Sequence, residues 1–233
     1  MKRPSIPLSK CMDLPRDYLL LAPELELVDK HHATEGQAEE RRWEYAMAHR
    51  AISEWRVAQQ QADGWEDHPL RACDVGGAGS KFALTLAEVM SAVDVVDPAL
   101  TLHGPLHGLT FFPTDLWQHG ATQAHDQYDV LTAISVLEHV PDQEVRRFLR
   151  SAKMLLRKGG LLFLTMDCWN CTGPDTAHFH WMRERIYNPD LIRALQQTLR
   201  ELGFLSFGVG DWAYSGNHLF GSYSFASLAM IRK

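Results

Sequence analysis

The chain has 233 residues, 45% hydrophobic and 22% charged, enough for one well-buried α/β domain with a small extension and too few for two full domains. Its 23 basic and 29 acidic side chains leave a formal net charge of -6, which gives no electrostatic footprint for general nucleic-acid binding and favours a small or neutral substrate. Four cysteines, at 11, 73, 168 and 171, are too few and too scattered for a disulfide framework, so a reducing, cytoplasmic compartment is expected.

Residues 1–33 carry prolines at 4, 7, 15 and 23 around one apolar knot, Tyr18-Leu-Leu-Leu21. Those prolines and the charges at 10, 13, 16 and 17 break any signal-peptide core, and no run reaches the eighteen or so apolar residues of a membrane span. This stretch reads as an arm folding back over the domain or as a partly ordered tail. Residues 34–62 follow as a helix, with Thr34 as N-cap and Trp43, Met47, Ala51, Trp55 and Ala58 spaced along one apolar face.

At residues 71–82 a short apolar run ends in Asp74, then a glycine cluster, then a helix-like segment. Strand, tight turn and helix are predicted, with Gly76, Gly77 and Gly79 admitting a sharp turn and a close ligand. Gly79-Ser80-Lys81 has the elements of a Walker loop in the wrong order, and Phe82 stands where a dinucleotide fingerprint needs Gly or Ala. A phosphate guest is therefore disfavoured.

A helix over 80–90 and a second strand over 92–97 come next. Asp97, about twenty residues past the glycines and followed by Pro98, is placed to accept from both ribose hydroxyls of a nucleoside, or else caps a turn. Phe111-Phe-Pro-Thr-Asp115-Leu116 reads as a third strand followed by an acid that is also a good helix N-cap. A fourth strand over 128–134 leads into Val136-Leu-Glu-His-Val140.

Residues 142–158 form an amphipathic helix with Val145, Phe148, Leu149, Ala152, Leu155 and Leu156 inward. Its basic outer stripe of Arg146, Arg150, Lys153 and Arg157 reads as a solvated face or as a contact for RNA or an acidic partner. Gly159-Gly160 is expected to stop that helix before a fifth strand over 161–166. The long segment 167–189 reads as a substrate lid. Within it Cys168, Cys171, His178 and His180 have zinc-ligand chemistry but not the usual finger spacing, so no metal is expected; alternatively His178 or His180 is a general base. A last helix opens at Asn188-Pro-Asp190 with Leu191, Ile192, Leu195 and Leu199 inward and ends at Gly203, before strands over 204–212 and 223–232.

Asp74-Val-Gly-Gly-Ala-Gly-Ser80 resembles the first motif of class I S-adenosylmethionine-dependent methyltransferases, D-x-G-x-G-x-G after the first strand, with Ala78 and Ser80 in place of the second and third glycines. Asp97, Asp115-Leu116, the Val136–Val140 signature and the terminal strand pair repeat the family's order, so the resemblance covers roughly residues 41–232. It implies a Rossmann-like three-layer α/β sandwich with a seven-stranded, mostly parallel sheet whose last strand alone is antiparallel. An N-terminal arm and helical cap over 1–66 would precede the domain at 67–233.

The resemblance also implies S-adenosylmethionine as cofactor, held by Asp74, Gly76, Gly77, Ala78, Gly79, Asp97, Pro98, Asp115, Leu116, Ala133, Ile134 and Ser135. Arg41, Arg42 or Tyr45 would meet its methionine end if the preceding helix covers it; otherwise that helix is purely structural. His139, His178 and His180 are the candidate general bases, His139 being equally a packing residue. The short Pro-Pro-aromatic motif by which amino-methylating DNA enzymes hold a flipped base does not occur after the fourth strand. Methyl transfer to oxygen or nitrogen of a small molecule or saccharide is expected, against a non-catalytic cofactor-binding partner or an RNA or protein methyltransferase.

Overall fold

The apolar runs predicted as strands lie side by side in one sheet, in a computed structural model that describes residues 7–12, 14–32, 39–62, 68–78, 80–168, 187–211 and 224–233. In chain order the strands are β1 (Ser9–Cys11), β2 (Arg71–Val75), β3 (Ala92–Val96), β4 (Gly104–Leu106), β5 (Leu109–Phe112), β6 (Tyr128–Ala133), β7 (Leu156–Cys168), β8 (Phe204–Ser206), β9 (Gly210–Asp211) and β10 (Ser224–Arg232). The helices are α1 (Leu14–Leu20), α2 (Ala22–His32), α3 (Glu39–Gln60), α4 (Phe82–Ala87), α5 (Leu116–Thr122), α6 (Asp142–Leu155) and α7 (Pro189–Glu201). None among the described residues is long and apolar enough to cross a membrane.

Strands β5, β3, β2, β6 and β7 are parallel neighbours in that order, and β10 runs antiparallel between β7 and β8. Such strands are buried on both faces because helices cover both, which is why they read as continuous apolar runs. One core packs α2, α3 and α4 against the sheet; the other packs α5, α6 and α7. Six of the seven expected strands are thus in place, the one expected over 204–212 is split into β8 and β9, and β1 and β4 are additions among the described residues. β4 pairs antiparallel with β5, so β10 is not the only antiparallel strand; β1 and β9 extend the sheet beyond β10. His107 and Gly108, both at positive φ, make the two-residue β4–β5 turn.

The arm is therefore part of the sheet. Asp17 on α1 is fully buried, accepting from Lys10 Nζ at 2.5 Å and from the Trp43 indole at 2.8 Å. The Trp55 indole donates to Gly159 O at 2.8 Å, so both large rings of α3 bury their area without stranding an N–H. Trp43, Met47, Ala51 and Trp55 face inward as predicted, whereas Ala58, near the helix end, is exposed.

Two predicted boundaries and one predicted inward residue are corrected. Helix α4 spans only Phe82–Ala87, because Ser80 Oγ takes the Phe82 N–H and tight turns close its end at Glu88 and Val89. Gly159 and Gly160 do not cap α6, which ends at Leu155; they lie inside β7, where the register against β6 shifts between Tyr128 and Val130. A Cβ on Gly160 would sit 2.8 Å from Arg157 O, so this bulge needs glycine. Leu191 lies on the exposed side of α7, while Ile192, Leu195 and Leu199 are buried.

Candidate functional site

At the C-terminal ends of the parallel strands a cavity of about 500 Å³ opens where β2 separates β3 from β6. Crevices of this kind are the ordinary ligand position of a doubly wound sheet. The glycine turn forms its floor. Gly76, at φ +78°, donates to Val96 O at 2.8 Å, and a Cβ there would stand 2.4 Å from Val136 Cγ2. A Cβ on Gly77 would meet Asp74 Oδ2 at 2.7 Å and Val95 Cγ1 at 2.8 Å. The Ala78 N–H donates to Asp97 Oδ2 at 2.9 Å, and Ala99 N–H to Asp97 Oδ1 at 2.7 Å. Asp97 thereby holds the glycine turn and its own turn together while lining the cavity with Pro98.

The two departures from the motif have local reasons. Ala78 contributes its backbone N–H, which any residue but proline supplies. Ser80 Oγ accepts the Phe82 N–H just before α4 and shares a 3.0 Å hydrogen bond with Tyr45 Oη. Gly79, like His178, His180 and Cys171, lies outside the described residues, so the lid and the zinc set are not described beyond Cys168, which is buried.

Asp115 and Leu116 also line the cavity, and the Asp115 carboxylate caps α5 by accepting from Gln118 N–H at 2.9 Å. Ile134, Ser135 and Val136 form the wall above β6; Ala133, paired with Val75 and Leu164, lies behind them and does not line the space. His139 stands exposed at the mouth, as the last residue of the short 3-10 turn Leu137–His139. Helix α3 adds Arg41 and Tyr45, one turn apart on the same face. Arg42 turns away and makes a two-point ion pair with Asp29 at 2.7 and 2.6 Å.

Sequence reasoning missed Glu44, Trp117 and Phe148. Trp117 and Phe148 line the cavity, and Arg147 lies over the Trp117 ring at 5.1 Å. Glu44 is fully buried; its Oε1 accepts from Ser135 Oγ at 2.6 Å and from Thr165 Oγ1, and its Oε2 accepts from Arg41 Nη1 at 2.9 Å. A readable signal existed, because a charge at 44 interrupts the inward stripe that continues through Ala48, Ala51 and Trp55.

Burial pushes the Glu44 carboxyl upward against the opposing pull of Arg41 and the two hydroxyls. The Tyr45 phenol is pushed up to about 12 by burial, which keeps it neutral as a hydrogen-bonding group. Glu138, with Oε1 3.4 Å from Asp167 N and Oε2 without a hydrogen-bond partner among the described residues, is raised well above the carboxylate range by burial and by the Asp167 charge.

Asp74 is pushed up to about 7 by burial, with the Thr132 hydrogen bond opposing and the Asp97 charge adding to the rise. The folded protein therefore binds this proton more tightly than the unfolded chain, whose value is near 3.8. The stabilisation is fully present below about pH 4 and is lost as pH climbs through 7. Against Asp74→Asn, which does not titrate, the wild type is expected to lose about 1 to 4 kcal/mol of relative stability across that window. Urea melts of both proteins at several pH values check it; parallel curves would contradict it.

The cavity thus sets carboxylates at its β3 and α5 side and a guanidinium at its β6 side, with Val75, Val96, Leu116 and Ile134 between. Strands β3 and β6 are two spacings apart, about 10 Å. That suits an elongated ligand with hydroxyl donors at one end and a carboxylate at the other.

A family described as a methyltransferase domain matches residues 47–205. The chain is 30% identical over 102 residues to a ubiquinone biosynthesis O-methyltransferase of Xanthomonas oryzae pv. oryzae, covering 41% of this chain and 42% of that protein. Over 152 residues it is 28% identical to the Proteus mirabilis protein of the same name, covering 59% and 60%. It spans between 42% and 60% of the length of these curated relatives. The solved structure of magnesium protoporphyrin IX methyltransferase from Synechocystis PCC 6803 with bound SAM is similar over 95% of this chain and 98% of that one, at 18% identity and a TM-score of 0.51.

Proposed function

Because the chain belongs to the methyltransferase-domain family, we propose that its cavity binds S-adenosylmethionine and that the protein transfers the methyl group to an oxygen or nitrogen of a small molecule. The observation that carries this reading is Asp97, which closes β3 beside the glycine turn and presents its carboxylate to the cavity. Remaining lone pairs on its two oxygens would accept from the ribose hydroxyls. Asp115 and Leu116 would hold the adenine, the backbone of Ile134 and Ser135 would border the methionine chain, and Arg41 would pair with its carboxylate.

The cofactor supplies a methyl group already activated on a sulfonium. What the chain contributes is binding, alignment and exclusion of water. Asp97 and Asp115 outnumber Arg41 around the cavity, with Asp74 only partly ionised near neutral pH, which favours a cationic guest. His139, exposed at the mouth, would take a proton from an acceptor hydroxyl, the kind of acceptor that most needs a base. The names of the curated relatives support oxygen as the methylated atom. Neither the cavity lining nor the names of the relatives support a saccharide acceptor.

Incubation with methyl-labelled S-adenosylmethionine and a panel of phenols, alcohols and amines is expected to label at least one hydroxyl or amine acceptor. Retained affinity for S-adenosylhomocysteine with no labelled product across the panel would instead favour a cofactor-binding protein without catalysis.

A further inference from the structure

Resting on the cofactor reading, we propose that Glu44 is a positioning residue, tying α3 to the C-terminal ends of β6 and β7 so that Arg41 and the Ser135 backbone are preset for the amino-acid end of the cofactor. It joins three segments remote in sequence. Its Oε2 fixes Arg41 Nη1 at 2.9 Å, and its Oε1 receives both hydroxyls, from Ser135 at 2.6 Å and from Thr165. Thr165 Oγ1 in turn accepts the Ser135 N–H at 3.0 Å, so each hydroxyl has a defined role. Both the side chain and the N–H of Ser135 are held by this network.

Two features need such a device. Ser135 is a non-glycine residue at φ +50°, a conformation that costs energy and persists when its surroundings enforce it. Arg41 is a long side chain, 39% exposed, and would lose its preset direction without a partner. Ser135 and Arg41 both line the cavity, whereas Glu44 does not. The carboxylate acts through its two neighbours.

A purely structural role accounts for less. Helix α3 is held independently by the Trp43 bond to Asp17, the Trp55 bond to Gly159 O, the Arg42 pair with Asp29 and the Arg50 bond to Leu20 O at 2.6 Å. A buried ion pair is a weak source of stability compared with an apolar side chain of similar size. Methionine at 44 would continue the apolar stripe. Methionine there lets the half-exposed Arg41 turn to solvent but takes the acceptor from the buried Ser135 and Thr165 hydroxyls, so a loss of stability is expected beside the release of Arg41 and Ser135.

The test compares wild type, Glu44→Gln, Glu44→Met and Ser135→Ala by calorimetric titration with S-adenosylhomocysteine, by KM and kcat once an acceptor is known, and by melting of the ligand-free proteins. Affinity is expected to fall about 10- to 100-fold in both Glu44 variants, as for a lost charge-assisted network. In Ser135→Ala it is expected to fall about threefold to tenfold, for one hydrogen bond. The rise should appear in the KM for the cofactor more than in kcat, and Glu44→Met should melt below the wild type while still folding. Lower melting temperatures with affinities within twofold of wild type would overturn the assignment. Should both Glu44 variants fail to fold, Ser135→Ala decides: reduced affinity supports the proposal and unchanged affinity overturns it. Failure of the wild type to bind would defeat the cofactor reading itself, whereas binding that survives all three substitutions defeats only this inference.

Discussion

Asp97→Ala is expected to lower the affinity for S-adenosylhomocysteine by about 100-fold in a protein that still folds. The carboxylate accepts from Ala78 N–H at 2.9 Å and from Ala99 N–H at 2.7 Å, so its loss loosens the glycine turn as well as removing the acceptors for two ligand hydroxyls. Hydrogen bonds to a charged group contribute about 1.5 to 3 kcal/mol, and 2.7 kcal/mol corresponds to the 100-fold change. Folding should suffer less, because the two N–H groups left unpaired belong to half-buried Ala78 and exposed Ala99, where water can reach them. Calorimetry on the folded variant reads this directly; unchanged affinity would remove Asp97 from the site.

Gly76→Ala carries the second large effect, on the fold itself. The residue sits at φ +78°, and its new Cβ would stand 2.4 Å from Val136 Cγ2. Backbone strain and overpacking each cost about 1 to 3 kcal/mol, so a loss of about 3 kcal/mol or more is expected. For a chain of this size that is a fall of about 6 to 12 °C in melting temperature. Adding Val136→Ala removes the collision but not the strain, so the double variant should be less destabilised than the sum of the singles. Additive losses would place the cost elsewhere.

The parts of this structure that were legible are those whose chemistry is local. Continuous apolar runs marked the parallel strands, the glycine cluster after Asp74 marked the turn, and the distance to Asp97 placed an acid at the next strand end. Signals with two meanings were harder. Gly159-Gly160 serves a helix end as readily as a bulge, and Asp115 is both a helix cap and a cavity residue. The β4–β5 hairpin has one local cue, Gly108 at its turn.

Other features had no local signature. Strand β1 pairs with β10 across more than two hundred residues, through backbone bonds that no side-chain pattern announces. Glu44 meets Ser135 and Thr165 only when α3 lies across the ends of β6 and β7. Even so, a glutamate on a buried helical stripe is a misfit visible in sequence, and misfits of this kind tend to mark functional sites.

Calorimetric titration of the wild-type protein with S-adenosylhomocysteine, with NAD run in parallel, tests the central claim most directly. The cavity at the ends of β2, β3 and β6 predicts one-to-one binding of the adenosyl ligand and no heat from NAD. No binding of S-adenosylhomocysteine, or binding of NAD alone, would contradict it.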